Sequence, residues 1–580
     1  MKMNAATDPT SNNTVPEPSL ANGYSRRAFM SRVLAAGAAA NLPLLAHAGH
    51  DADDAPIPNA ADHSHQRRQQ AYKIRMEAAL AEFQAPLPPH PDNGDEDKYP
   101  AFAPYSKGLK HNSYGEVDPA SYKTYARALA TGKPSDFDAI VLGCTDPGHK
   151  VLDNPQAGLA FDLEGRDSHA TYLPPAPAFS SNEEASEIIE NYWMALARDI
   201  PFSAYDTSSL VTQAAGELSS MTDFRGPKVN GQVTPGTLFR GALRGGNRGA
   251  WQPIPGCLTG PYISQFLWLE VPFGADSYAQ QMITAAPEVD YMTDPAEWLN
   301  IQNACPPSAS QAFGTARRYL CNGRDLGQWV HVDALHEAYF QAMLILLTLG
   351  AKVNPGNPYN GSTTQRGFGT FGAPHIISLL PEVCTRALHA VWFQKWFVHR
   401  RLRPEEYGGR IHHALANGRS YPLPADLKRT AVLDLVHQQN GSYLLPMAYP
   451  EGGPLHPSYG SGHATVAGAC VTILKAWFDG RQPIKELVQP VLPKPDGSAL
   501  DFYTGPDADK LTVEGELNKL GANIAMGRDF ACVHWRSDQM ESLKLGEDVA
   551  ISILSDQKRT YNERFSGFVF NRFDGTPVTV

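Results

Sequence analysis

The chain has 580 residues, a formal net charge of −11, and 42% hydrophobic against 19% charged residues. The acidic balance, with no basic patch interleaved with aromatic residues, argues against nucleic acid as a partner. The length is sufficient for a large hydrophobic core, in one domain or in several.

Residues 1–48 contain the three parts of a twin-arginine export signal. The run Ser-Arg-Arg-Ala-Phe-Met at 25–30 is followed by a weakly apolar stretch over 33–45 and by the small-x-small cleavage site Ala-His-Ala. We therefore expect a mature chain that starts near Gly49 and is exported, already folded, to a bacterial periplasm or beyond. No other apolar run reaches the roughly 20 residues that span a bilayer, so no membrane span is expected.

The mature chain is predicted to comprise a mostly helical N-terminal half, 49–325, and a helical C-terminal half, 326–580. Helices are predicted in the first half over 65–83, 182–198 and 205–221, between long segments rich in Pro and Gly. Few runs show the alternation of apolar and polar residues that is typical of β-strands. The predicted fold class is therefore all-α.

The second half is predicted to begin with a helix over 326–349, whose apolar residues form a broad surface. A long loop over 354–369 follows. The letters Gly-Phe-Gly-Thr-Phe-Gly at 367–372 match a dinucleotide-binding fingerprint, but no strand pattern precedes them. We therefore reject a dinucleotide site at this position.

Lys395 is the first candidate site residue. It continues an apolar stripe of a helix predicted to begin near Pro381, and a lysine on such a stripe needs an anionic partner or a route to solvent. Trp392 lies one turn before Lys395 on the same face. Pro404 disfavours helix at Arg403, so the Arg403 guanidinium is expected to project from the helix end, about two turns from Lys395.

The stretch 455–464, Leu-His-Pro-Ser-Tyr-Gly-Ser-Gly-His-Ala, is the second candidate. Helix-forming residues follow it, so the first helical turn is expected near Ser461. A helix N-terminus offers unpaired N–H groups and partial positive charge, Gly462 lets an anion approach the backbone, and the Ser461 hydroxyl adds a donor. His456 and His463 lie on either side. The stretch also fits an ordinary serine N-cap followed by a core histidine.

Arg528 and His534 form the third candidate, in a short link between a helix predicted over 511–525 and a last helix over 535–554. The Pro-rich segment 482–505 before them is predicted to be a loop. Together the three stretches supply three cations, a hydroxyl, a backbone amide and three histidines. Such donors suit an oxyanion and not a metal cation, so the site is predicted to bind an oxyanion.

The order of these motifs is Lys…Arg-Pro, then Ser-Gly-His, then Arg with a His six positions later. It resembles the signature shared by vanadium-dependent haloperoxidases and phosphatidic-acid-phosphatase-like acid phosphatases. Within that superfamily the chain looks most like the vanadium bromoperoxidases of marine algae. Three details carry this likeness: the eight-residue step from Lys395 to Arg403, the histidine five residues before Ser461, and the His-Pro-Ser-Tyr run. Gly460 departs from the pattern, because a second proline is expected there.

The likeness is weak from about Phe102 and clearer from about Gly260 to Met540. It implies an all-α fold like that of the vanadium haloperoxidases, with two four-helix bundles and long loops. It also implies a homo-oligomer, a dimer or a larger assembly, by analogy with the algal relatives.

The resemblance also implies a vanadate cofactor and a role for each site residue. The vanadate oxygens would be held by Lys395, Arg403, Ser461, the Gly462 N–H and Arg528. His534 would bind vanadium axially, and His463 would accept a proton from hydrogen peroxide. Lys395 would then polarise the peroxide so that a halide can attack it. The hypohalous acid released would halogenate an organic acceptor.

Trp392 and His456 would line the halide pocket by the same resemblance. Histidine at this position, where chloroperoxidases tend to have phenylalanine, favours bromide and iodide over chloride as substrates. From the residues alone, Trp392 also fits a core position, and His456 a structural histidine at a turn. Arg400 and Arg401 fit either the entrance of the site or ion pairs with acids.

Two other functions use the same residues. An acid phosphatase would bind a phosphoester, with His534 as the phosphorylated nucleophile and His463 as the acid that protonates the leaving group. An exported phosphate- or vanadate-binding protein would hold the anion without turnover. The size of the chain, together with His456 and Trp392, favours the peroxidase over both.

The chain has seven cysteines, an odd number for an exported protein. Cys384 and Cys470 fall on helical core stripes and Cys532 lies within the site link, so these three are predicted to be buried thiols. The remaining four, in loop-like or less certain surroundings, leave room for one or two disulfides. They are Cys144, Cys257, Cys305 and Cys321. Spacing does not decide which of them pair.

Overall fold

Long helices joined by extended loops make up most of the computed structural model, which describes residues 64–244 and 251–580. The predicted export signal over 1–48 and the mature start near Gly49 lie outside the described residues. The α-helices are α1 Ser64–Gln84, α2 Asp95–Lys98, α3 Pro119–Thr131, α4 Pro134–Asp138, α5 Asn182–Ala197, α6 Ser209–Ser220, α7 Pro295–Gln302, α8 Gly323–Val332, α9 Glu337–Thr348, α10 Ala373–Phe393, α11 Pro404–Asn417, α12 Ala431–Asn440, α13 Gly462–Trp477, α14 Val513–Phe530 and α15 Arg536–Lys558.

Side-chain caps explain where several predicted helices begin. The starts of α1, α5 and α15 lie within a residue of their predicted positions. The Ser181 hydroxyl caps α5 by accepting a hydrogen bond from the Glu184 N–H at 3.1 Å. The helix predicted from residue 205 begins later, at Ser209, because Ser208 caps it and a 3-10 turn, Phe202–Thr207, comes before it.

The helix predicted over 326–349 is wrong in one respect, since it is two helices. The first, α8, ends at Val332, and Asp333 is extended, with ψ of 148°. The second, α9, begins at Glu337. The apolar periodicity hid this break because both helices pack on the same core. The side chain of Asp333, at this break, can therefore form a hydrogen bond with another part of the fold.

The helix predicted to begin near Pro381 begins earlier, at Ala373, with Pro381 inside it. It continues as a π-helical turn, Gln394–His399, which contains Lys395. Single π turns are frequent at functional sites because they change the direction of the side chains that follow. The helix predicted over 511–525 is also longer, and its last turn carries Arg528.

Apart from isolated bridges, the β structure of the described residues consists of short two-stranded antiparallel pairs, so the all-α prediction is confirmed. The strands are β1 Ala242–Arg244, β2 Trp251–Pro253, β3 Val271–Phe273, β4 Asp276–Tyr278, β5 Gln281–Ala285, β6 Phe313–Tyr319, β7 Val491–Pro493, β8 Leu500–Phe502, β9 Val569–Asn571 and β10 Pro577–Thr579. They pair β1–β2, β3–β4, β5–β6, β7–β8 and β9–β10. The hairpin β7–β8 lies in the segment predicted to be a loop, because three-residue strands are too short to show alternation.

The central helix α13 is buried at every position except His463. It packs against α10, α14 and α15. Glycines permit the close approach to α15: a Cβ atom at Gly468 would collide with the Leu543 carbonyl oxygen, and one at Gly546 with the Thr465 carbonyl oxygen. This contact places the N-terminus of α13, where Ser461 lies, beside the first turns of α15.

Replacing Gly546 with alanine is expected to lower the free energy of unfolding by about 3 kcal/mol, because the added methyl must push two helix backbones apart. The loss is measured as a fall in Tm. Gly216→Ala is the matched control, since this glycine of α6 has open space around its Cβ position. The control is expected to gain up to about 1 kcal/mol from helix propensity. Equal Tm values for the two variants would contradict close packing of α13 on α15.

One helix of the described residues, Ala373–His399, is long and apolar enough to cross a membrane. The prediction that no run outside the signal has this length is therefore wrong, because Pro381 lies inside the helix and does not begin it. Half of its apolar window is buried inside the fold. It packs against α13 and α15 and carries the buried Lys395, which is the arrangement of a core helix.

Cys144 and Cys305 form a disulfide, with their Cα atoms 5.2 Å apart. The other five cysteines are buried free thiols, so the prediction for Cys384, Cys470 and Cys532 is confirmed. Residues His65–Val580 form one compact unit. The division of the mature chain after residue 325 stays a prediction.

Candidate active site

Lys395 lies in the π-helical turn after α10 and is fully buried. Its Nζ is 2.7 Å from Nδ1 of His456 and 4.8 Å from the centre of the Trp392 ring. Burial lowers the pKa of the Lys395 ammonium well below its ordinary value, and the nearby Arg403 guanidinium lowers it further. Asp538 and Asp153 oppose this shift. The surroundings thus disfavour the charged form of Lys395, and a bound anion would stabilise that form.

Arg403 immediately precedes α11, where Pro404 occupies the first helical position. Its backbone N–H donates to Oε2 of Glu406 at 2.8 Å. The guanidinium donates to the His456 carbonyl oxygen at 2.7 Å and to the Val533 carbonyl oxygen at 2.7 Å. Arg403 therefore joins the two stretches that were predicted to share the site.

His456 lies between these two cations. The Arg403 NH2 group is 2.8 Å from the same Nδ1 atom that Lys395 approaches. Burial, followed by the charges of Lys395 and Arg403, holds the pKa of His456 well below its ordinary value. The imidazole is therefore neutral and accepts hydrogen bonds at Nδ1. The ring of Trp392 lies 4.9 Å away, centre to centre.

The N-terminus of α13 brings Ser461, Gly462 and His463 to the same place. Ser461 is the N-cap, and its hydroxyl accepts a hydrogen bond from the Ala464 N–H at 3.4 Å. A Cβ atom on Gly462 would lie 3.2 Å from the Trp392 ring. The absence of a side chain at Gly462 therefore keeps the backbone next to Trp392 and the cavity.

His463 is paired with Asp333, a residue that sequence reasoning missed. Its Nε2 is 3.0 Å from Oδ1 of Asp333, which stands at the break between α8 and α9. Burial lowers the pKa of His463, and Asp333 partly opposes that shift. A histidine with this partner can take up a proton, because the carboxylate stabilises the imidazolium.

Arg528 supplies the third cation from the last turn of α14. Its NH1 donates to the Val330 carbonyl oxygen at 2.7 Å. Its buried Nε has no hydrogen-bond partner within the described part of the chain. Buried polar atoms are rarely left without a partner, so this donor indicates that a ligand completes the site.

His534 is held by Asp538, a second residue that sequence reasoning missed. Its Nδ1 is 2.8 Å from Oδ2 of Asp538, one helical turn later. The pKa of His534 lies well below its ordinary value, first because of burial and then because of Arg403 and Lys395. A neutral imidazole that donates from Nδ1 to a carboxylate keeps a lone pair on Nε2, which is the arrangement of a metal-binding histidine.

Asp538 is itself fixed by several donors. It accepts hydrogen bonds from the Trp535 N–H at 3.2 Å, from the Ser458 hydroxyl, and from Arg401 NH1 at 2.9 Å. Arg401 also pairs with Glu184 and Glu187. Of the two roles left open for Arg401, the structure therefore assigns the ion pair. The sequence signal that could have identified Asp538 is its place as an acid in the first turn of a predicted helix.

Asp538→Asn is expected to weaken vanadate binding by about 10- to 100-fold, because the amide no longer fixes the proton of His534 on Nδ1. Calorimetric titration of the apo-protein with orthovanadate measures the change. Glu541→Gln is the matched control on the same helix, since its carboxylate pairs with Lys544 at 2.7 Å. Equal affinities for both variants would remove Asp538 from this role.

A cavity of about 350 Å³ opens at these residues. Its walls include six of the predicted site residues, namely Trp392, His456, Gly462, His463, Arg528 and His534. The other three, Lys395, Arg403 and Ser461, lie behind this wall and contact it or adjoin it in the chain. All nine predicted residues are thus brought to one centre. Leu335, Leu388 and Pro454 form an apolar part of the wall.

The residues present fit a small oxyanion. Among the described residues, neither Lys395 nor Arg403 nor Arg528 has a carboxylate oxygen within 4.0 Å, and all three are buried. Buried charges without a counter-charge are costly, so an anion in the cavity would stabilise this group of cations. The donors match a tetrahedral oxo-acid such as vanadate or phosphate, and the lone pair of His534 Nε2 suits a central metal atom.

Comparisons with known proteins agree with this arrangement. A family model described as the VCPO second helical-bundle domain matches residues 380–563, which include all nine predicted residues. Vanadium-dependent bromoperoxidases of Corallina pilulifera and Corallina officinalis are each 37% identical to the chain, over 85% of it and 92% of the relative. The vanadium-dependent bromoperoxidase of Ascophyllum nodosum is 34% identical, over 91% of this chain and 94% of its own.

A solved structure has the same fold. The homohexameric second vanadate-dependent bromoperoxidase of Ascophyllum nodosum superposes with a TM-score of 0.83 at 30% identity, covering 92% of this chain and 94% of that one. The fold and the site define a vanadium haloperoxidase-like helical protein with a buried oxyanion centre. The chain belongs to the vanadium-dependent bromoperoxidase family. The family resemblance seen in the sequence is confirmed, and the roles of individual residues stay predictions.

Proposed function

We propose that the chain is a vanadate-dependent haloperoxidase, which uses hydrogen peroxide to oxidise bromide and iodide to hypohalous acid. One observation carries the proposal. Among the described residues, three buried cationic side chains without carboxylate partners surround the imidazoles of His456 and His534. Asp538 holds Nδ1 of His534, so its Nε2 lone pair faces this cluster, 3.3 Å from Arg403 NH1. A tetrahedral oxo-acid matches both features, because its oxygens neutralise cations and its central atom binds nitrogen.

The chain's residues would hold vanadate from several sides. Its oxygens would be bound by Lys395, Arg403, Arg528, Ser461 and the Gly462 N–H, and its vanadium by His534. Bound vanadium(V) would supply a Lewis acid that activates hydrogen peroxide without a change of its oxidation state. Burial of the cations excludes water, which strengthens their hold on the anion.

His463 would move the proton that the reaction requires. Hydrogen peroxide, bromide and one proton give hypobromous acid and water, so the site must take up and release protons. The His463 imidazole adjoins the cavity, and Asp333 stabilises its charged form. Burial lowers the pKa of His463 and Asp333 opposes that shift, so the imidazole can accept a proton from the cavity and release it again.

The halide would enter beside His456 and Trp392. The two cations that contact His456 make its surroundings attractive to a halide ion, while the Trp392 ring covers one side of the cavity. We assign bromide and iodide as the preferred halides, from the histidine at position 456. The hypohalous acid would then halogenate an organic acceptor near the cavity, which is larger than a vanadate ion needs.

The chain is also proposed to form a homo-oligomer and to be exported. The related Ascophyllum nodosum enzyme is described as homohexameric, which supports the first proposal. The twin-arginine pattern supports export to the periplasm or beyond. The Cys144–Cys305 disulfide adds support, because disulfides persist in oxidising compartments and are rare in the cytosol.

One experiment tests the activity. The purified apo-protein is incubated with orthovanadate, and bromination of a phenol-type dye by hydrogen peroxide is followed, with hydrolysis of a chromogenic phosphate ester measured in parallel. The proposal expects bromination only after vanadate is added, and suppression by excess phosphate, which competes for the same cations. Ester hydrolysis without bromination would favour the acid phosphatase instead. Binding of the anion with neither activity would leave only a binding protein.

A further inference from the structure

Lys107 and Glu405 form an ion pair in the interior of the fold. The Lys107 Nζ lies 2.5 Å from Oε1 of Glu405, and both side chains are fully buried. Lys107 comes from the loop between α2 and α3, and Glu405 from the first turn of α11. A lone charge in the interior is costly, so each of these side chains depends on the other. Neither residue borders the cavity, so the pair lies behind the oxyanion site.

The ion pair holds a loop that forms part of the cavity wall. The Lys107 Nζ donates to the Glu451 carbonyl oxygen at 2.8 Å and to the Gly453 carbonyl oxygen at 2.6 Å. Oε2 of Glu405 accepts a hydrogen bond from the Gly453 N–H at 2.6 Å. Gly452 has a φ of 65°, and a Cβ atom there would collide with the same carboxylate oxygen. The loop can therefore approach Glu405 this closely because position 452 has no side chain.

Glu405 lies beside Arg403, one of the three cations of the site. A Cβ atom at Gly453 would lie 2.7 Å from Cδ of Arg403 and 3.5 Å from Oε2 of Glu405, so both side chains approach the same residue. Burial lowers the pKa of Arg403, while Tyr105 and then Glu405 oppose that shift. A carboxylate at this distance competes with any other anion that binds the Arg403 guanidinium.

We propose that Lys107 is a positioning residue that holds Glu405 away from Arg403 and so keeps the Arg403 guanidinium available to the bound oxyanion. The inference rests on the proposed vanadate site. Oε1 of Glu405 is bonded to the Lys107 ammonium and Oε2 to the Gly453 N–H. The Lys107 charge also cancels the charge of Glu405, so the pair adds no net charge beside the cavity.

Anion affinity is expected to follow the net charge of this pair. Lys107→Met leaves Glu405 as an unpaired carboxylate that can turn to Arg403, so binding of orthovanadate and of phosphate is expected to weaken by about tenfold or more. Glu405→Gln leaves Lys107 as an additional cation and is expected to strengthen binding of both anions. The double variant is neutral again, and its affinities are expected to return to within about threefold of the wild-type values.

The double variant separates this role from mere support of the cavity loop. It lacks the hydrogen bonds from Lys107 to the two loop carbonyl oxygens, as Lys107→Met does. If loop support were the whole role of Lys107, the double variant would bind the anions as weakly as the single variant. Calorimetric titration of each full-length apo-protein with orthovanadate, and separately with phosphate, measures the affinities. The Tm of each variant shows whether it is folded.

Lys519→Met is the matched control, because Lys519 is also a buried lysine with a glutamate partner. Its Nζ lies 2.7 Å from Oε1 of Glu516 and donates to the Thr259 carbonyl oxygen at 2.6 Å. It does not line the cavity. The control is expected to have a lower Tm and the wild-type affinity for both anions, since its unpaired glutamate has no cation of the site beside it.

Three outcomes overturn the inference while the oxyanion site stands. They are wild-type affinity in Lys107→Met, a double variant that binds no better than Lys107→Met, and weaker or unchanged binding in Glu405→Gln. The last of these decides the matter even where Lys107→Met does not fold. A wild type that binds neither anion refutes the oxyanion site and this inference together. Binding of both anions without bromination refutes only the proposed activity.

Discussion

Replacing His534 with alanine is expected to abolish retention of vanadium. His534 supplies Nε2, a nitrogen of a neutral imidazole. The proton of this imidazole is held on the other nitrogen, Nδ1, by the 2.8 Å contact with Asp538. Without it the cations and the helix N-terminus still attract an anion, but nothing bonds to the central atom. Affinity for orthovanadate is therefore expected to fall at least a hundredfold, about 3 kcal/mol of binding free energy.

Vanadium content after dialysis measures the loss, and competition with phosphate shows its cause. Wild type is expected to prefer vanadate to phosphate, because only vanadium gains a bond to the imidazole. The His534→Ala variant is expected to lose that preference while it still binds phosphate through Lys395, Arg403 and Arg528. His437→Ala is the matched control, since His437 is exposed and does not line the cavity. Unchanged vanadium content in His534→Ala would show that His534 does not bind the vanadium.

The site could be predicted from sequence because each of its three stretches carries functional groups in a recognisable local pattern. A lysine on an apolar stripe, a Ser-Gly-His at a helix start and an Arg-Pro at a helix end are visible within about ten residues each. The structure brings Lys395 to within 2.7 Å of His456, although 61 positions separate them in the chain. The family resemblance, and not periodicity, supplied the expectation that these stretches meet.

The supporting carboxylates were missed for two different reasons. Asp333 lies 130 positions from His463, at a break that apolar periodicity concealed, so no local pattern linked the two residues. Asp538 is one turn from His534 and could have been found as the acid in the first turn of α15. Local patterns describe what a residue can donate or accept, whereas its partner is set by how the helices pack.

Predicted ends of helices and strands are wrong where tertiary packing overrides the local preference of the sequence. The sequence predicts a helix start near Pro381, but this proline lies inside α10, the long core helix on which α13 and α15 pack. The short hairpins were not predicted, because strands of three to seven residues with mixed burial resemble loops in sequence. The contact of α13 with α15 depends on Gly468 and Gly546, whose role appears only when both helices are placed.

Replacing His463 with alanine is expected to leave vanadate bound and to lower kcat for bromination by about 10²- to 10⁴-fold, the usual contribution of a general acid–base group. His463 contacts Asp333 and borders the cavity, but it is not required to hold the anion, because the cations and His534 remain. Vanadium content and the dye assay together separate the two effects. His331→Ala is the matched control, since His331 borders the same cavity but pairs with Glu451 at 2.7 Å.

Asp333→Asn tests the same proton transfer by His463 through the pH dependence of kcat/KM. Burial lowers the pKa of His463 and Asp333 opposes that shift, so loss of the carboxylate lowers the pKa further. A general base works only when neutral, and activity is lost as pH falls through its pKa. The acidic limb of the kcat/KM profile is therefore expected to move to lower pH in Asp333→Asn. A limb that stays in place, or an His463→Ala variant with full activity, would show that another group moves the proton.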